Sequence, residues 1–174
     1  REEVDLVGLL VDTVADARAA GPDHDWQLDL AVLEPPADAT PEEAEDFLPE
    51  PPLVIGDEAR LRQVVVNLLA NARVHTPAGS HVTTTLAREG DTLIVRIHDD
   101  GPGIAPDVRD RLFERFARGD SSRERRTGST GLGMSIALAI VQSHGGSIDV
   151  DSSTAPEDHG TTFSVRLPAA AVEE

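Results

Sequence analysis

Apolar positions recur every three or four residues over 3–19 (EVDLVGLLVDTVADARA), and the run stops at Gly21-Pro22. That spacing predicts an amphipathic helix with a Gly/Pro stop. From Trp26 to Leu33 apolar and polar residues alternate, which predicts a strand. Residues 35–52 hold six Pro and six acids, a composition that suits no packed element and predicts a mobile acidic loop. This loop is either a tolerated insertion or a segment that docks a partner. Leu61, Val64, Val65, Leu68, Leu69 and Ala72 then follow helical spacing from Asp57 until Pro77 ends the run. His81–Ala87 and Thr92–His98, joined by Arg88-Glu89-Gly90-Asp91, read as a hairpin. A short helix is expected over Pro106–Phe116, then a stretch with no apolar residue from Arg118 to Ser129. A second strong helix is expected from Gly131 to His144, closed by Gly145-Gly146, and final strands over Ser147–Asp151 and Thr161–Leu167. Strands and helices that do not strictly alternate suggest one sheet with helices on one face.

Composition narrows the function classes. The 174 residues fit one domain and need no covalent staples. There is no Cys, hence no disulfide, thiolate metal site or cysteine nucleophile. No apolar run reaches membrane-spanning length. A net charge of -17 argues against nucleic acid as a partner and leaves an acidic interaction module as an alternative. All fifteen basic residues are Arg, which excludes the Gly-Lys-Ser/Thr phosphate loop and any lysine Schiff base. The chain begins at Arg1 and its one Met is Met134, so it is expected to be an excised fragment, with any anchor outside it not visible here, and the fragment itself is expected to be monomeric.

Three elements carry candidate chemistry. On the helix at 57–75, Arg60, Asn67 and Asn71 share one flank of the apolar stripe. A neutral amide oxygen suits a hard cation such as Mg²⁺, which usually takes one or two protein oxygens plus substrate phosphates. The alternative is that both Asn hydrogen-bond backbone. Asp99-Asp100-Gly101-Pro102-Gly103-Ile104 follows a strand. Its glycines allow a sharp turn and the approach of a flat ligand, and a carboxylate at a buried strand end can accept from an exocyclic amine. A plain turn explains the same residues. Gly128-Ser129-Thr130-Gly131-Leu132-Gly133 opens a helix, whose free N–H groups hold phosphate. Residues 109–126 carry seven of the fifteen Arg, a basic cluster suited to a polyphosphate or to a salt-bridged helix face.

In this order, NLLANA (67–72), DDGPGI (99–104), LFERFARGD (112–120), GSTGLGMSIALAIVQSHGG (128–146) and GTTFSVRLP (160–168) resemble the ATP-binding catalytic domain of bacterial sensor histidine kinases. The resemblance runs from about residue 3 to 168. It implies a two-layer α/β (α+β) sandwich with one mixed, largely antiparallel sheet, the fold shared with gyrase, Hsp90 and MutL. It further implies ATP and Mg²⁺ as cofactors, with Asn71 as the metal ligand, Asn67 beside the phosphates and Asp99 as the adenine reader. Gly101, Gly103 and Ile104 would shape the adenine pocket, and Thr162 would line the site from the closing strand. Residues 115–130 would be a mobile lid carrying Arg115, Arg118 and Thr130, with Phe113 and Phe116 anchoring its start. Gly131, Leu132 and Gly133 would face the phosphates. Where the family commonly has Lys then an aromatic residue, this chain has Val74 and His75. His75 or a lid Arg is the candidate replacement, because the adjacent Arg73 points about 100° away on a helix.

The leading expectation is phosphoryl transfer from Mg-ATP to a His on a separate dimerisation domain, with a response regulator served through the parent protein. The parent is expected in the cell membrane and this domain in the cytoplasm. The family's acceptor motif, His followed by Glu/Asp-Leu-Arg-Thr-Pro, is absent from the chain. An ATPase switch of the gyrase kind is the second possibility. Those relatives use a Glu one turn before the metal-binding Asn; position 67 here is an amide, which cannot serve as a base. A non-catalytic nucleotide-sensing module is the third.

Overall fold

The computed structural model describes residues 1–109 and 131–171. A five-stranded sheet runs in the order β2-β4-β5-β7-β6, built from β2 (Asp25–Asp29), β4 (His81–Glu89), β5 (Thr92–Asp99), β6 (Ser147–Ser153) and β7 (Gly160–Pro168). β2 pairs parallel with β4 and every other neighbour is antiparallel, so the sheet is mixed and largely antiparallel. Three helices, α1 (Leu6–Ala20), α3 (Glu58–His75) and α4 (Gly131–Ser143), cover one face, with α3 between the other two. The core forms between these layers. Leu10, Leu68 and Val141 from the helices meet Val82, Leu86, Val95, Phe163 and Val165 from alternate sheet positions, all buried.

The periodicity of α3 predicts its boundaries well, because both ends have local causes. The Asp57 carboxylate accepts from the Arg60 N–H at 3.2 Å and caps the start, and Pro77 blocks continuation. Gly145, at φ 75°, closes α4, with the Gly146 N–H donating to the Val141 carbonyl at 2.9 Å. The β4–β5 hairpin turns at Gly90-Asp91 with Gly90 at φ 59°, and both strands run longer than their apolar alternation indicates.

Three expectations are corrected. The helix expected from residue 3 begins at Leu6, and Glu2–Asp5 instead form β1, antiparallel to β3 (Leu53–Gly56) in a second, two-stranded sheet. Asp5 makes the switch: its carboxylate accepts from the Val7 N–H at 2.9 Å and starts the helix there. The strand expected over Trp26–Leu33 ends at Asp29 and gives way to a 3-10 turn over Ala31–Leu33 that buries Val32. The acidic segment 35–52 contains a short exposed helix, α2 (Pro41–Glu45), started by a reciprocal cap between Thr40 and Glu43. Its far end is tied to the sheet by Arg88, which pairs with Glu50 at 3.3 Å and donates to the Pro51 carbonyl at 3.2 Å. Of the short helix expected over Pro106–Phe116, which is not among these, residues 106–109 are helical and the rest lies outside the described residues.

Candidate functional site

The C-terminal end of α3 and the C-terminal end of β5 meet at one edge of the two layers. Thr76, one residue past α3, is buried; its hydroxyl donates to the Ala72 carbonyl at 2.6 Å and accepts from His24 Nε2 at 2.7 Å. With that assignment His24 carries its proton on Nε2, and its buried Nδ1 has no hydrogen-bond partner among the described residues. A methyl group added at Gly101 would come within 2.6 Å of the Thr76 Cγ2, so only glycine lets the 99–104 turn lie against the end of the helix.

Asp99 ends β5, opposite Val82 on β4 and Thr161 on β7, and is 6% exposed. Its Oδ1 accepts from the Gly101 N–H at 3.0 Å. Burial pushes its carboxyl above the ordinary range, and the Gly101 hydrogen bond and the imidazoles of His98 and His75 pull the other way. A buried acceptor at the mouth of a two-glycine turn is suited to a ligand that brings its own donor.

The two asparagines behave differently. Asn67 Nδ2 donates to the Gly133 carbonyl at 3.1 Å, joining α3 to the first turn of α4. Asn71 is 9% exposed, and among the described residues nothing hydrogen-bonds its side-chain amide. Among the described residues, the backbone-bonding alternative therefore holds for Asn67 and not for Asn71. Also among the described residues, no group of three or more His, Asp or Glu side chains could hold a metal ion unaided. An amide oxygen supplemented by ligand oxygens fits Mg²⁺, which keeps most of its shell from water and phosphate.

The 99–104 turn lies against Thr76 at the end of α3, with exposed His75 close enough to bias Asp99, and one to two turns earlier on the same helix are Asn71 and Asn67, the latter bonded to Gly133. Gly131 and Leu132 open α4 beside them. Arg73 turns away as its helical phase requires: its Nη1 donates to the Ala20 carbonyl at the end of α1, at 3.2 Å. Phe113, Arg115, Arg118 and Thr130, and the lid as a whole, lie outside the described residues.

One site residue is corrected. Thr162 lies on the sheet face away from the helices, where its hydroxyl bonds His98 Nδ1 at 2.7 Å; Thr161 is the buried residue beside Asp99. Strand period two contained the answer, since Thr161 shares its face with the apolar Phe163, Val165 and Leu167. His24, Thr76, Ser152 and His159, which also buttress the turn, have no local sequence signal, because each acts across a long loop. Among the described residues, no helix is long and apolar enough to cross a membrane.

A family model described as histidine kinase-, DNA gyrase B-, and HSP90-like ATPase matches residues 56–171. The chain is 48% identical over 168 residues to the probable sensor histidine kinase TcrY of Mycobacterium tuberculosis, covering 97% of this chain and 31% of that protein. It therefore spans about a third of the length of that relative. Among solved structures it is similar to the mycobacterial sensor histidine kinase MprB, with 29% identity and a TM-score of 0.73 over 98% of this chain and 100% of that one. It is also similar to full-length ShkA in complex with AMPPNP, with 26% identity and a TM-score of 0.70 over 98% of this chain and 31% of that one.

Proposed function

The chain belongs to the histidine kinase-, DNA gyrase B-, and HSP90-like ATPase family, and on that footing we propose that it is the ATP-binding catalytic domain of a sensor histidine kinase. In this reading it binds Mg-ATP and donates the γ-phosphoryl group to a histidine on a separate dimerisation domain of its parent. The parent is a membrane-anchored sensor that passes the phosphoryl group to a response regulator, and this domain works on the cytoplasmic side.

The observation that carries the reading is the contrast within one helix turn of α3. Among the described residues, Asn71 is buried with its amide unclaimed, while Asn67 is spent on holding Gly133. Asn71 supplies an oxygen to Mg²⁺, which when bound would neutralise phosphate charge. Asn67 aligns the start of α4, so that the N–H groups around Gly131–Gly133 face the phosphates. Asp99 accepts from the adenine amine, and the glycines at 101 and 103 let the base lie flat against backbone. His75, exposed at the last turn of α3, or an Arg of the lid takes the place of the usual lysine. No base stands at position 67, so water in the site is not activated there. Positioning and charge neutralisation supply the chemistry, and the nucleophile comes from outside the chain.

Mixing tests the proposal. Alone, the chain binds Mg-ATP and leaves it intact. With the parent's dimerisation domain added, label from the γ-phosphate appears on that domain in an acid-labile, base-stable form. Brisk hydrolysis by the chain alone, abolished by removing a carboxylate near the phosphates, would make it an ATPase switch instead.

A further inference from the structure

The turn at 99–104 contains two glycines and leaves the sheet at a strand end, so its local sequence leaves it pliable. It is nonetheless tied at both ends to the β6–β7 hairpin. His159 Nδ1 donates to the Gly101 carbonyl at 2.6 Å. The Ile104 N–H donates to Ser152 Oγ at 2.7 Å. The Ser152 hydroxyl in turn lies 3.0 Å from the Gly160 carbonyl and 2.8 Å from Thr161 Oγ1, and Thr161 is the residue registered against Asp99. Between the two ties the backbones touch. A methyl group at Gly103, where φ is 80°, would overlap the Ser153 carbonyl, and one at Gly160 would overlap the Asp99 carbonyl.

From these contacts we infer that His159 and Ser152 are positioning residues for base recognition. They hold the Asp99 turn in its binding geometry before a ligand arrives, though neither lies among the groups proposed to touch it. The inference rests on the proposed reading of Asp99 as the adenine acceptor. Pre-organisation is worth affinity because a turn already fixed loses less freedom on binding. It is worth selectivity because a rigid acceptor penalises a base that presents no donor there. His159 is itself exposed, so replacing it leaves the core intact.

The test is titration calorimetry of the chain with Mg-ATP and Mg-GTP, alongside the melting temperature of each variant. His159→Ala and Ser152→Ala should each weaken Mg-ATP binding about five- to tenfold, the scale of one lost hydrogen bond. They should also narrow the ATP-over-GTP preference, with melting close to wild type for His159→Ala. His159→Asn keeps a donor near the Nδ1 position and should restore both quantities, whereas His159→Gln places its donor near Nε2 and should not. Wild-type affinity and preference in His159→Ala would overturn the inference, as would equal weakening for both nucleotides. If the wild-type chain binds no Mg-ATP, the reading of the site fails first and this inference falls with it.

Discussion

Asn67 and Gly133 are 66 residues apart in sequence and 3.1 Å apart in space, with the side-chain amide of one helix held by a first-turn carbonyl of the next. A residue that the family resemblance assigns to the phosphates is thus committed, through its nitrogen, to fixing the helix end that would receive them. Gly133 is compatible with this approach, since a methyl group there would sit at ordinary van der Waals distance, 3.6 Å from Asn67.

Asn67→Asp should therefore be more harmful than its size suggests. It replaces a donor with a carboxylate facing a carbonyl and adds negative charge beside the phosphate site. Mg-ATP affinity should fall by more than about tenfold, while AMP, which lacks the outer phosphates, should be affected less. Equal loss for both nucleotides in calorimetry would contradict the placement.

Asn71→Ala should weaken Mg-ATP binding by about 1–3 kcal/mol, the scale of a lost contact with a charged group. Stability should change little, because no protein partner among the described residues is stranded by the truncation. Titrations with and without Mg²⁺ check the assignment: the variant should lose the metal-dependent part of the affinity.

Asp99→Asn should blunt the preference for ATP over GTP and also raise stability at neutral pH. The sign follows from the direction of the shift. Burial raises the carboxyl above its ordinary value, so between the two values the folded chain holds a proton that the unfolded chain has released. Stability is then fully present below the ordinary carboxylate value and falls as pH rises through the raised one. An amide has no such loss. Denaturant midpoints should favour the variant over wild type more at neutral pH than in acid, and a constant difference would show that the carboxyl is not perturbed.

Gly56→Ala should destabilise the fold by about 1–3 kcal/mol through overpacking. A methyl group there would stand 2.5 Å from Cδ2 of His144, whose Nε2 accepts from the Asp57 N–H at 3.1 Å and so braces the start of α3 against the end of α4. Because the two positions share one contact, Gly56→Ala should cost less in a His144→Ala background. Additive costs in urea denaturation would show that the clash is relieved elsewhere.

These residues also show what the sequence alone made legible. The stripe of α3, its Asp57 cap and the Gly145 stop are local, and physics within a few residues decides them. The strands β1 and β3 are four residues each, too short to display alternation, and they exist because they find one another across about fifty residues. The site divides in the same way. Asn71, Asp99 and the glycines stand out because unusual residue types mark them, and Thr161 could have been separated from Thr162 by following the strand period. Ser152 and His159 could not, since a serine and a histidine near a hairpin become meaningful only when the 99–104 turn is laid against them.

The string that runs from Thr76 to His24 ends at a chromophore. Trp26 is the only tryptophan in a chain with no tyrosine; it is 4% exposed, its Nε1–H donates to the Gly21 carbonyl at 2.7 Å, and its ring centroid lies 5.7 Å from that of His24. Near-ultraviolet emission from this protein therefore originates at one address, two side chains behind the turn that carries Asp99. A ligand that moved Gly101 against Thr76 would disturb the imidazole tilted beside the indole, so a change in emission on binding would mark a turn that moves, and steady emission is what a turn already held by His159 and Ser152 entails.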